Sequence, residues 1–406
     1  MLSPSADPMT RDEKRAGASL AAIFALRMLG LFLILPVFSV HAQGIPGGDD
    51  LTLVGIAIGA YGLTQSLLQI AFGAASDRFG RKPVIVAGLL IFALGSFVAA
   101  FAPDIYWIIA GRVLQGAGAI SAAVTALAAD LTREQHRTKV MAMIGSSIGL
   151  VFALSLVLAP ILYKAIGMGG LFGMTGILAL AAILLVRHVV PEPPPPEPHA
   201  TSIPFARIAL DPELLRLNFG IFTLHLAQMA MFVVVPLALV DTGGLALPEH
   251  WKVYLPALLL SFVLMIPAIF IAERRQKTKE VFVAAIALVL VTQLGFWLSG
   301  GGLWPLAFFL FLFFAGFNIL EASLPSMISR IAPPQAKGLA LGIYNTTQAL
   351  GLATGGFLGG FLAQRLGADA VYAACALLVL VWFALGLSMA PLPVRAQKSQ
   401  PAPQAN

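Results

Sequence analysis

Charge is what this chain has least of. Of its 406 residues, 25 are Lys or Arg and 19 are Asp or Glu. That is 11% of the chain, where a soluble domain carries about 25%. So few charges cannot cover a water-facing surface of this size, which excludes the two or three soluble domains that length alone would suggest. Cysteine is nearly missing as well. Cys375 stands alone in an apolar run, which excludes a disulfide framework and leaves no Cys-based metal site. There is no glycine loop followed by Lys-Ser or Lys-Thr, hence no phosphate cradle for an ATP-driven pump. Nor is there a His/Glu metal pair at helical spacing of the kind a membrane-embedded metalloenzyme needs. A sensor or receptor would carry a sizeable soluble output domain, and no polar stretch here is long enough for one.

Apolar residues are what is present: 59% of the chain, with a mean hydropathy of +0.89. A bilayer core of roughly 30 Å takes about 20 apolar residues per helical crossing. Such runs occur at 17–41, 51–73, 83–102, 105–130, 138–163, 167–189, 216–240, 252–272, 280–299, 303–329, 338–363 and 369–390. They are too long for strands and lack period-two alternation, so the prediction is an all-α integral membrane protein of twelve transmembrane helices. The first fifteen residues are polar, the run after them is too long for a signal-peptide core, and no small-residue cleavage site follows; the first helix is read as retained.

The net charge of +6 does not point to nucleic acid, because the basic residues sit in short loops between apolar runs. With the N-terminus inside, 20 of the 25 Lys and Arg fall on cytoplasmic segments, among them Arg11, Lys14, Arg78, Arg81, Lys82, Arg133, Arg137, Arg274 and Arg275. Only Lys164, Lys252 and Arg365 fall outside. This bias predicts a multi-pass protein of the cell (inner or plasma) membrane with both termini cytoplasmic. A proline run, 191–198, cannot continue a helix and reads as an extended spacer. It divides the chain into a tail (1–16), a six-helix bundle (17–189), a cytoplasmic linker (190–215), a second bundle (216–390) and a tail (391–406). Residues 203–216 fit a short interfacial helix as well as an irregular loop.

The halves look duplicated. Pro36 and Pro236 sit late in the first helix of each half, 200 residues apart; the charged loops from Gly73 and Ile271 are 198 apart; the glycine-spaced fifth helices from Gly145 and Gly342 are 197 apart. Three landmarks at one near-constant offset are the pattern of two parallel repeats that rock against each other.

The most specific segment is Gly73-Ala-Ala-Ser-Asp77-Arg78-Phe-Gly80-Arg81-Lys82. A positive-inside loop requires no such order of Gly, Asp and Arg. The segment closely resembles the signature loop of the major facilitator superfamily. The resemblance implies two six-helix pseudo-repeat bundles and a cytoplasmic latch. In that latch Asp77 would meet the positive end of helix eleven near Gly338, and the loop's Arg would pair with Asp130. A second segment, Gly111-Arg112-Val-Leu-Gln115-Gly116-Ala-Gly118, resembles a motif of proton-coupled members in which the Arg serves proton transfer; the bland alternative is an Arg that snorkels to the surface. In helix five Gly145, Gly149 and Pro160 fit the glycine-rich pattern of drug/proton antiporters, but Ala159 replaces a Gly and no Gly pair follows, which loosens what can be said of direction. Over nearly the whole membrane region the chain resembles the twelve-helix drug/proton antiporter family and, within it, the YajR-like branch, through Leu26 to Gly30, Gly55 to Gln65, Asp130 to Gln135, Asn218 to Gly220 and Glu249 to Tyr254. Some members add a soluble C-terminal domain; the polar tail here is read as standing without one.

Ionisable groups deep in the spans are Arg27, Arg112, His225 and Glu321. Arginine keeps its proton, so only His225 and Glu321 can exchange one there, and an intramembrane acid marks function by default. A structural pairing of Glu321, or a satisfied structural His225, is the alternative. Arg27 is expected to face a central cavity with Tyr61 and Gln65, with Gln69, Gln228, Asn318, Asn345 and Gln348 as further lining; Phe232 and Phe317 would supply apolar wall. The function expected is secondary active transport: proton-coupled efflux of a small amphipathic compound or drug by alternating access. The alternative is proton-coupled symport of a small metabolite such as a sugar or organic acid. The expected partners are the substrate, protons and the lipid bilayer. No cofactor beyond the proton gradient, no metal, no enzymatic activity and no nucleic acid are expected, and the chain is read as a monomer.

Overall fold

In the computed structural model, residues 8–192, 204–333 and 336–390 are described. The proline run beyond Glu192 and the tail 391–406 lie outside them, as do residues 1–7. Every described element is helical. Helix α1 (Arg11–Phe32) is continued by α2 (Leu35–Ala42), and α3 (Leu51–Phe79) and α4 (Arg81–Ala100) follow. The fourth crossing is split into α5 (Ile105–Ala117) and α6 (Ser121–Asp130). The long α7 (Glu134–His188) turns at Gly167, whose φ of 65° is a left-handed conformation that glycine adopts without penalty. After a five-residue α8 (Phe205–Ala209) come α9 (Pro212–Asp241), α10 (Trp251–Arg274), α11 (Thr278–Leu298), α12 (Leu303–Ile331), α13 (Lys337–Leu366) and α14 (Ala368–Leu387).

Ten of the described helices are long and apolar enough to cross a membrane. One of these, Lys139–His188, holds two crossings, fifth and sixth, on either side of Gly167. A further helix, α13, falls short of that hydropathy because it carries Tyr344, Asn345, Thr346, Thr347 and Gln348 mid-span. Twelve crossings result, six in each half, as the hydropathy predicts. Two of them are broken where the sequence shows an unbroken apolar run. α1 stops at Phe32 because Pro36 has no N–H for the Phe32 carbonyl, and the chain restarts at Leu35. The fourth crossing breaks at Gly118. Of residues 203–216, the segment 205–209 is helical, and α9 begins at Pro212 with Asp211 capping Glu213 and Leu214 through its side chain.

The bundle has a basic end, where Arg78, Arg133 and Arg274 lie, and a far end, where α2, α5 and α9 meet the opposite surface. Toward the far end the halves touch backbone to backbone along α3 and α13. A Cβ at Gly356 would lie 2.6 Å from the Gly55 carbonyl oxygen, and one at Gly62 would lie 2.7 Å from that of Ala349. The glycines of α13 serve a second neighbour too: a Cβ at Gly351 would lie 2.5 Å from the Phe222 oxygen and one at Gly359 2.7 Å from the Ala230 Cα, both in α9. Toward the basic end one face of the same helix is open, while Ala336, Ala340 and Tyr344 stay buried against the second half. Among the described residues nothing lies within 4 Å of a Cβ built on Gly338 or Gly342, and the same holds for Gly145 and Gly149 of α7. The seam is closed at the far end and parted at the basic end.

The start of α1, ahead of its apolar span, is tied to the loop before α7. Thr10 and Glu13 form a capping box. Arg133 donates its backbone N–H and Nε to Glu13 Oε1 and an Nη2 hydrogen to Oε2, at 3.0, 2.9 and 2.9 Å. The Arg133 hydrogen bonds hold the Glu13 carboxyl well below the usual carboxylate range. A group with a depressed folded-state pKa stabilises above its ordinary pKa and loses that contribution as pH falls through and below the ordinary range. Glu13→Gln is therefore expected to cost about 1–2 kcal/mol at neutral pH, read as a lower melting temperature in detergent, with the gap from wild type closing as the solution is acidified.

Candidate functional site

Each half buries one polar cluster. In the first, both intramembrane guanidinium groups lie over the ring of Tyr61, Arg27 at 5.6 Å and Arg112 at 5.0 Å from its centroid. Neither has an acidic partner among the described residues. Arg27 donates to Ser121 Oγ at 2.8 Å and Gln65 Oε1 at 3.2 Å, and Arg112 to Gln115 Oε1 at 2.8 Å and the Ala57 carbonyl at 3.3 Å. Gln115 passes the chain on to Ser96 of α4 at 2.8 Å. Arg112 is 1% exposed, so it points into the bundle and does not snorkel. A charge in hydrocarbon is costly; here π-faces, amide and hydroxyl oxygens and a backbone carbonyl offset that cost.

The glycines of the Arg112 segment make this geometry possible. A Cβ at Gly116 would overlap the Tyr61 carbonyl, and one at Gly118 would lie 3.1 Å from the Phe92 Cβ. One at Gly111 would lie 2.7 Å from the Gly95 oxygen. Without side chains at these positions α5 nests against α3 and α4, and Arg112 reaches Tyr61 and Ala57.

In the second half one amide joins two titratable groups. Gln348 Nε2 donates to His225 Nε2 at 2.9 Å and to Glu321 Oε1 at 3.3 Å. His225 Nδ1 lies 3.2 Å from the Ile221 carbonyl, which can only accept, so Nδ1 carries the proton and Nε2 is the acceptor. Glu321 Oε2 lies 3.8 Å from His225 Nε2 and has no hydrogen-bond partner. The Glu321 side chain is 35% exposed, but its Oε2 is itself buried. Tyr344, one turn before Gln348 on α13, is buried with its hydroxyl unpartnered.

The structure thus brings Arg27, Tyr61, Gln65 and Arg112 together in one half, and His225, Glu321 and Gln348 in the other. It does not bring Asn318 to Glu321: Asn318 Nδ2 donates to Ser261 of α10 at 2.9 Å. Gln69 and Gln228 are buried with their Oε1 atoms unpartnered, Asn345 is half-buried, and none of the three joins either cluster. Ser121, Gln115, Ser96 and Tyr344 were not singled out as site residues from sequence; the R-x-x-Q spacing marked Gln115, and the i, i+4 relation to Gln348 marked Tyr344. Phe232 and Phe317 meet at Phe152 of α7, whose ring centroid lies 6.4 and 5.7 Å from theirs, with Phe317 also 5.5 Å from His225.

At the basic end, Arg81 bridges Asp77, with which it forms an ion pair, and Asp130, whose Oδ2 its Nε reaches at 2.9 Å. Gly80, with φ 94°, makes the left-handed turn between α3 and α4 that sets Arg81 at a helix start. Arg78 stands apart over the ring of Phe79, and Lys82 donates to the Val190 carbonyl and to Glu192. Gly73 lies with ordinary clearance against Ala122. Asp77 does not meet the start of α13. Its side chain is 65% exposed and Gly338 faces open space, because the halves are parted at this end.

Two six-helix bundles, each burying a polar cluster inside the membrane, with a seam closed at one end and parted at the other, define a membrane transporter. The sequence matches the model of the Major Facilitator Superfamily over residues 20–352, and again over 219–405, from the start of the second bundle. The chain belongs to the major facilitator superfamily. It is 46% identical over 385 residues to the inner membrane transport protein YajR of Escherichia coli, covering 94% of this chain and 84% of that one. It is 24% identical over 363 residues to the multidrug resistance protein MdtH of Aeromonas salmonicida, covering 86% and 87%. The crystal structure of the human organic anion transporter MFSD10 shares the fold, with a TM-score of 0.71 and 20% identity, covering 93% of this chain and all of that one.

Proposed function

We propose that the chain is a proton-coupled exporter of a small amphipathic compound, working by alternating access, with its basic end and both termini in the cytoplasm. The observation that carries this reading is the bridge from Glu321 through Gln348 to His225. Among the described residues Glu321 is the one acid deep in the spans; its side chain is part-exposed, and its buried Oε2 has no hydrogen-bond partner that a proton would displace. When Glu321 is charged, an approaching cation or the proton itself satisfies it; when it is neutral, the cluster tolerates an apolar guest beside Phe317. The Arg112 cluster supplies a fixed positive field on the other half, and the excess of Lys and Arg at the basic end supports a cytoplasmic placement. The conformer described is then open to the cytoplasm. On closure Asp77 would come to the start of α13, leaving Arg81 and Asp130 to hold the loop, so that Asp77, Arg81 and Asp130 latch the state open to the outside. The name of the MdtH relative, a multidrug resistance protein, agrees with an amphipathic cargo.

The test is reconstitution into liposomes with a trapped pH indicator and a panel of cationic and anionic amphipathic dyes. Export coupling predicts that an imposed proton gradient drives dye against the proton flow, and that dye movement shifts internal pH. Dye and protons moving in the same direction would instead establish symport, and dye movement indifferent to the gradient would remove proton coupling altogether.

A further inference from the structure

Pro236 lies inside α9, and its ring nitrogen has no hydrogen to offer the carbonyl four residues earlier, that of Phe232. In the first half the corresponding proline, Pro36, coincides with a break in the helix. In the second half α9 runs on unbroken, and the freed carbonyl is taken up from across the seam: Ser39 Oγ of α2 donates to the Phe232 oxygen at 2.7 Å. Ser39 is 0% exposed, and an unmade hydrogen bond in such surroundings is expensive. Phe232 is held from the first half a second time, through the ring of Phe152. Nearby, the N–H of Leu51, at the start of α3, donates to Gln364 Oε1 of α13 at 2.8 Å, so polar bonds join the halves at two places of the far end.

We propose that Ser39 and the Phe232 carbonyl freed by Pro236 form the far-end latch of the transport cycle, made when the seam closes there and broken when it opens. The proposal rests on alternating access, and on neither the direction of transport nor its coupling. Donor and acceptor belong to opposite halves, so the far end cannot part without separating them. Once parted, the Ser39 hydroxyl can turn back to a carbonyl of its own helix. The Phe232 carbonyl has no such recourse, since Pro236 offers nothing, and it must wait for water admitted by the opening. Ser39 is thus a positioning residue: it touches no cargo, and it sets how often the far end is open.

The test uses the whole chain with Cys375→Ser and spin-label pairs at Gln43→Cys with Asp241→Cys for the far end, and Lys139→Cys with Arg275→Cys for the basic end. In the wild-type background the far-end pair should be mostly short and the basic-end pair mostly long. Ser39→Ala should raise the ratio of far-open to far-closed molecules roughly tenfold, and Ser39→Thr, which keeps the hydroxyl, should restore it. Pro236→Ala returns an N–H to the Phe232 carbonyl, so adding Ser39→Ala on top of it should shift the far-end distances much less. It also keeps the bond testable from the other side should Ser39→Ala fail to fold: alone, it should raise far-end opening to a lesser degree. Wild-type distances that respond to cargo while Ser39→Ala matches wild type overturn the latch alone. Pairs that never change distance in any condition overturn alternating access and the latch together.

Discussion

Glu321→Gln is expected to abolish proton-coupled transport while leaving a folded protein that still exchanges cargo across the membrane in the absence of a gradient. The substitution keeps size and shape, and its amide oxygen can still accept from Gln348, as Glu321 Oε1 does at 3.3 Å. What it removes is the capacity to take up and release a proton. Losing a positioned proton carrier typically costs about a hundredfold or more in rate, and the drop should appear in gradient-driven transport alone. His225→Gln should have a smaller effect, about tenfold, because His225 Nε2 only accepts from Gln348 and the amide oxygen of Gln reaches far enough to replace that acceptor. Gradient-driven transport at the wild-type rate in Glu321→Gln would move the proton path elsewhere.

The other large effect is expected from Gly55→Leu. A Cβ at residue 55 overlaps the Gly356 carbonyl and comes within 2.8 Å of the Gly360 Cα. Both are backbone atoms of a neighbouring helix and cannot swing aside as a side chain would. The nearest carbonyls and Cα atoms of α3 and α13 are held together by packing, since lipid gives apolar helices no hydrophobic reason to associate. Overpacking costs about 1–3 kcal/mol even in forgiving cores, and here the strain falls on the closed end of the seam. Transport should fall by at least about tenfold, with either a broadened size-exclusion profile or a protein trapped open at the far end. Gly342→Leu, on the same α13 but with nothing within 4 Å of its Cβ, should fold normally and impair only closure of the basic end. Equal damage from both would show that the glycines act through helix stability and not through the seam.

Hydropathy carried the architecture because lipid leaves helices as the only choice, and twelve apolar runs therefore mean twelve crossings. It could not show the breaks after Phe32 and at Gly118, since both lie inside runs whose composition does not change; Pro36 was visible, but Pro236, equally visible, breaks nothing. The site was legible as an inventory, since charges deep in lipid are too costly to be idle: Arg27, Arg112, His225 and Glu321 all fall in the two clusters. Their pairing was not legible, because it depends on helices far apart in sequence. Asn318 is three residues from Glu321 yet bonds to α10, while Gln348, distant in sequence, joins Glu321 to His225. In the signature loop Arg81 and Asp130 do pair, since they sit on neighbouring helices of one half. The expected Asp77 contact to α13 would span the seam, and with the basic end parted the structure does not show it.

The two closures differ in kind. The far end is shut by backbone apposition, a buried hydroxyl and the neutral bond from Leu51 to Gln364, none of which carries a charge for mobile ions to screen. The latch proposed for the basic end places Asp77, Arg81 and Asp130 at the water boundary, where electrolyte within a Debye length of about 8 Å would weaken it. Raising ionic strength should therefore tilt the conformational balance from one face of the bilayer only, making the molecule responsive to the salt of a single compartment.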